Sequence, residues 1–237
     1  MPEHACDAGD VAAAVDAALA VTEALLGRVA ETRQVSAGPA RAAVTRVRAV
    51  VLATPPDALA GARATRVVDA ALHAATAGGS MGEKRAAWGA AQHRLSAACL
   101  RLAEALVWHR SARASVAACR SVVQWLAASG APEAEDQFDA AAPSVVRDTE
   151  AAALAVLARA LPGAPDELLR DARLREVVGT FAPAEDEEGD VDEGVVAVDE
   201  PAAPGMAASE ASLRRSAARL RRVLGGVSSG DALDDLD

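Results

Sequence analysis

The chain has 237 residues and a formal net charge of −10, with 24 Lys and Arg against 34 Asp and Glu. Hydrophobic residues make up 51% of it, but aromatic residues only 2% and tyrosine is absent, so the core must be aliphatic and alanine-rich, the composition of long paired helices. No apolar run reaches the roughly eighteen residues of a membrane span, and the start MPEHACDAGD is acidic and polar, so neither a span nor a signal peptide is expected.

Charge is divided along the chain. Residues 24–130 carry a surplus of nine positive charges, and residues 131–237 a surplus of fourteen negative ones. A basic helical part is followed by an acidic one, a pattern that fits an anion-binding surface with a tail able to fold back over it, or unevenly solvated helix faces.

Residues 1–9 are expected to be disordered and residues 10–180 to form a helical core. The first helix is predicted from Asp10 to Arg33, with Leu19, Thr22, Leu25 or Leu26, and Val29 on one side. Ser36, Gly38 and Pro39 interrupt it. The second, from Ala40 to Ala53, sets Arg41, Arg46 and Arg48 opposite Val44, Val47 and Val51, and Pro55 and Pro56 end it. Asp57 starts a third that continues to Thr76, and Gly78 and Gly79 make a hinge.

From Ser80 to Ser129 there is no proline, and alanine, leucine and arginine dominate. The spacing predicts one helix about 75 Å long, capped by Ser80 with Glu83 and stopped at Gly130 and Pro132. Its apolar stripe is narrow: Leu95, Cys99, Leu102 and Leu106, then Val116, Cys119, Val123 and Leu126. A helix this long points to an elongated bundle or a filament subunit more than to an enzyme built around a pocket. Trp88, Trp108 and Trp125 are expected to pack between helices.

Pro132 and Pro143 bracket a short acidic segment. Another helix is predicted over 144–161, with Val145, Thr149, Ala152 and Val156 on one side, and PDELLRDARLREVV begins the next. Residues 181–208 read as an acidic disordered linker, with nine acids between Glu185 and Glu200. An amphipathic helix follows over 209–226, aligning Leu213, Ala217, Leu220 and Leu224, and the tail 227–237 is acidic. A helix on a tether is commonly there to dock.

No catalytic constellation emerges. His93 and His109 lie about 24 Å apart along the predicted helix, too far to share a metal. Cys99 and Cys119 are about 30 Å apart on the same helix, beyond disulfide reach, and Cys6 stands alone, so reduced thiols in a reducing compartment are expected. There is no phosphate-cradling glycine loop and no nucleophile elbow. The reading is therefore a non-enzymatic all-α protein without metal or cofactor. Without aromatic stacking platforms, its arginines suit an anionic membrane or an acidic partner and not nucleic acid.

The order of these segments resembles the ESCRT-III, or charged multivesicular body, proteins. RLSAACLRLAEALVWHRSARASVAACRSVVQWL looks like the second core helix of their type-1 members, and EDQFDA at 135–140 is similar to their short acidic segment. In the terminal helix, Glu210, Leu213, Leu220 and Arg221 match the motif that binds the MIT domain of a disassembling AAA ATPase, while Ser216 and Ala217 stand where arginine and leucine are expected.

The resemblance implies a cytoplasmic protein, peripheral on endosomal membranes, that polymerises during sorting and vesicle budding. The acidic C-terminal part would leave the basic helices to open an autoinhibited bundle. Membrane contact would run through Arg41, Arg46 and Arg48, and the ATPase would dock on Glu210, Leu213, Ala217, Leu220, Arg221 and Leu224. A helical adaptor or herpesvirus-type tegument scaffold that does not polymerise is the other reading.

Overall fold

A computed structural model describes residues 8–31, 36–55, 59, 62–77, 89–108, 113–128, 143–162, 164–181 and 204–228. Every regular element among them is an α-helix, and none is a strand. In chain order these are α1 (Ala8–Glu31), α2 (Ala37–Ala53), α3 (Ala62–Thr76), α4 (Ala90–Trp108), α5 (Val116–Ala127), α6 (Pro143–Ala160), the single turn α7 (Asp166–Leu169), α8 (Ala172–Phe181) and α9 (Pro204–Ser228).

Local chemistry explains several ends. Pro39 sits in the first turn of α2, where a missing N–H costs nothing. Thr54 closes that helix in extended backbone immediately before Pro55, as the ring of a following proline requires. Asp166 and Glu167 lie in the first turn of α7, where negative charge meets the positive end of the backbone dipoles.

The expected continuous helix over 80–129 is not what forms. α4 ends at Trp108, residues 113–115 are non-helical, and α5 starts afresh after Ser115, whose backbone is extended (ψ 154°) and whose hydroxyl accepts the Ala118 N–H at 3.1 Å. The Ser115 N–H is taken by Asp69 of α3 at 2.9 Å. A serine that satisfies its own amide elsewhere and caps the next turn makes a new helix start. Ser80, the Gly78–Gly79 hinge, Trp88, the acidic segment over 132–143 as far as 142, the linker over 182–203 and the tail after 228 lie outside the described residues.

The narrow stripe expected of this region is also corrected. Leu95, Cys99, Leu102 and Leu106 are buried, but so are Ser96, Ala97, Ala98, Leu100, Ala103, Ala105 and Val107, because α4 is the central helix and packs against α2, α3 and α6 at once. Alanine permits these close approaches on several sides. Ser96 crosses between helices by donating its hydroxyl to the Ala75 carbonyl at 2.7 Å, and Thr149 of α6 donates to the His93 carbonyl at 3.2 Å.

Around α4 the helices form successive layers. On one side α1 packs on α3 and α2; on the other α6 packs on α4 and is itself covered by α9. α5 reaches α3, α6 and α8, and α8 also touches α9. One continuous apolar core runs through all of them, from Val15 in α1 to Leu224 in α9.

Candidate functional site

The most extensive contact between two helices joins α6 and α9. α6 presents Ala151, Ala152, Ala153, Leu154, Val156, Leu157 and Ala158 as buried residues, a surface low enough for another helix to approach. α9 answers with Leu213, Ala217, Leu220 and Leu224, all buried, Ala217 and Leu220 to 0% exposure. Their spacing of four, three and four residues forms one stripe along the helix. Each buried leucine contributes about 2 kcal/mol of transfer free energy, so three of them hold α9 firmly once it is seated.

The leucine face expected to receive a partner is therefore covered by the chain itself. α9 also begins at Pro204, inside the stretch expected to be linker, and runs to Ser228. Arg214, Arg215, Arg219 and Arg222 are exposed on its other faces, and Arg221 is half-exposed. The side chain of Glu210 lies outside the described residues. Its position in the chain places it on α9, one turn before Leu213.

A second surface lies between α2 and α4. Arg41 and Arg46 of α2 are exposed and Arg48 is half-buried, opposite the buried Val44 and Val51. Together with Arg94 and Arg101 of α4 they line an open groove of about 560 Å³, into which Asp148 of α6 also reaches. Arg101 is ion-paired with Asp148. Arg94 and Arg101 join this group because α2 packs along α4, which spacing within α2 does not reveal.

The remaining chemistry-bearing side chains are dispersed. Among the described residues no group of three or more His, Cys, Asp or Glu is arranged to hold a metal. His93 is buried inside α4 while His73 is exposed on α3. Burial pushes the Cys99 thiol up to about 12, and burial with the nearby Asp69 charge does the same for Cys119, so both are held as neutral thiols in the core. Arg120 of α5 is held above its ordinary value by a hydrogen bond to Glu167 at 2.5 Å.

The tryptophans divide. Trp125 is 7% exposed in the core, as expected, but Trp108 at the end of α4 is 58% exposed, with the Arg159 guanidinium 5.3 Å from its ring centre. Arg159 in turn meets Glu104 at 2.9 Å. No described helix is long and apolar enough to cross a membrane.

Compared with family models, characterised proteins and solved structures, the chain matches none.

Proposed function

We propose that this chain is a non-catalytic helical scaffold kept closed by its own C-terminal helix. α9 acts as a latch on α6: while it is seated, the leucine face of α9 and the alanine-rich face of α6 occupy each other. When it is released, both become available to a partner helix. The observation that carries this reading is the burial of Leu213, Ala217, Leu220 and Leu224 against the core, at the end of a 22-residue connection over 182–203. A long connection makes release and rebinding local events that leave the α1–α8 core intact. A partner with a helical groove would compete with α6 for the same stripe.

The polymerising, membrane-remodelling reading remains the second. The folded-back α9 supports it as a closed state, and exposed Arg41 and Arg46 supply a basic face on α2. In that case the released α9 would be the docking helix for a MIT-domain AAA ATPase. The break at Ser115 counts against it, because the single long helix that pointed to a filament subunit does not form.

The experiment is to open the latch in the full chain with Leu213→Glu and Leu220→Glu together, then add a labelled peptide spanning 204–228. The latch reading expects the peptide to bind the opened chain in trans and to leave the wild-type chain alone. Equal binding to both, or to neither, would sink it. Sedimentation of the same proteins, and of a 1–180 truncation, with and without acidic liposomes separates the two readings. Assembly that grows with concentration on vesicles supports the polymer, and a fixed oligomer or monomer supports the scaffold.

A further inference from the structure

We infer that the groove between α2 and α4 is a binding site for a compact ligand carrying more than one phosphate group. It is lined by five guanidinium groups, those of Arg41, Arg46, Arg48, Arg94 and Arg101, against the single carboxylate of Asp148. Several arginines elsewhere in the fold are neutralised locally: Arg63 by Asp16, Arg66 by Glu23, Arg159 by Glu104 and Arg120 by Glu167. In the groove only Arg101 has such a partner, and among the described residues Arg41, Arg46, Arg48 and Arg94 have none.

This concentration of unpaired cations occurs in a chain with ten more acids than bases. α2 contains no acidic residue, and α4 contains only Glu104, which faces Arg159. Gathering like charges in a concave site costs free energy that a bound polyanion would recover.

Arg48 is the most specific sign. Its Nε is buried and has no hydrogen-bond partner, an unsatisfied donor on a residue that lines the groove. Guanidinium groups offer paired N–H donors that match phosphate oxygens, and several converging on one concave site favour a multiply phosphorylated ligand over a single carboxylate. A groove of about 560 Å³ admits a polyphosphorylated ring or headgroup. The phosphates could come from a free metabolite or from a phosphoinositide headgroup. The chemistry is the same in either case, and the site does not depend on α9 acting as a latch.

The test is calorimetric titration of the full-length chain with inositol hexakisphosphate, alongside flotation with vesicles of phosphatidylcholine containing either phosphatidylinositol bisphosphate or phosphatidylserine. Saturable binding of one inositol phosphate per chain is expected. Arg46→Gln with Arg94→Gln should weaken it by at least about tenfold, whereas Arg173→Gln with Arg175→Gln, an equal charge loss on the exposed face of α8, should change it by no more than about twofold.

If the ligand is a headgroup, the bisphosphate vesicles float the protein and soluble inositol phosphate competes it off. If it is a free metabolite, only the soluble ligand binds. The proposal is overturned by the absence of saturable binding, by equal losses in the two arginine pairs, or by phosphatidylserine vesicles binding as well as the bisphosphate ones. The Leu213→Glu, Leu220→Glu chain should bind the ligand like wild type, so failure of the latch and failure of the groove are read separately.

Discussion

The carboxylate of Asp69, midway along α3, accepts the backbone N–H of Ser115 at 2.9 Å, while the hydroxyl of the same serine caps Ala118. Two hydrogen bonds converge on one residue, one from 46 positions earlier in the chain. They convert what would be a helix interior into a helix start and allow α5 to turn toward α3 and α8.

Removing either partner should destabilise the fold. Asp69→Ala leaves a part-buried N–H without its charged acceptor and is expected to cost about 2 kcal/mol. Ser115→Ala loses the cap and should cost about 1 kcal/mol. Because both bonds define the same helix start, the double variant should lose less than the sum by more than about 0.5 kcal/mol. Urea denaturation of the four proteins measures this, and strict additivity would show that the two bonds act independently.

The two core thiols make stability fall in alkali. Cys99 and Cys119 are pushed up to about 12 from 9.0, so on raising the pH the unfolded chain releases their protons before the folded chain does. Their contribution is fully present below pH 9 and is lost as pH rises toward 12. The urea midpoint of wild type should therefore drop more steeply between about pH 9 and pH 12 than that of Cys99→Ala with Cys119→Ala. Asp69→Ala should move Cys119 back toward its ordinary value, since the carboxylate contributes to the rise. In a Cys6→Ser background, a disulfide reagent near neutral pH should find no fast thiol until the protein unfolds, because buried neutral thiols are inert.

At Ala217 the closeness of α9 to α6 can be probed by adding volume. The residue is fully buried among Leu213, Leu220 and Leu224. Ala217→Leu should cost about 1–3 kcal/mol of seating through overpacking. The measurement is trypsin cleavage at Arg219, Arg221 and Arg222, which should speed up while hydrogen exchange in α4 stays slow. Unchanged cleavage would mean that α6 yields to the larger side chain.

Trp125 and Trp108 should respond in opposite ways to the same substitution. Trp125→Ala empties a core site and should cost about 3–5 kcal/mol. Trp108→Ala loses a mostly exposed ring and its contact with Arg159, and should cost about 1 kcal/mol or less. In single-tryptophan chains, acrylamide should quench Trp108 readily and Trp125 hardly at all; comparable quenching would contradict the burial difference.

Much of this arrangement is written in short-range chemistry. Alanine and leucine content sets the all-helical class. Proline at 39, 55 and 143 marks helix ends, and the periodic positions of Leu19, Thr22 and Leu26, or of Thr149, Ala152 and Val156, identify buried faces because residues three and four apart share one side of a helix. The stripe Leu213, Ala217, Leu220 and Leu224 is legible for the same reason. Its occupant is not: an amphipathic face states that it must be covered, and only packing decides that α6 covers it. Likewise the segment 80–129 offers Ser115 as a local cap for Ala118, but the Asp69 acceptor that also holds the break lies on α3. Arg41, Arg46 and Arg48 read as a basic face from their spacing, but they become part of a groove only when α2 lies along α4 and brings Arg94 and Arg101 beside them. Helix propensity and amphipathicity act within a few turns, so the sequence alone determines them; which faces meet is a long-range choice made by the lowest free energy of the packed whole, and that choice places both α9 on α6 and the arginine groove.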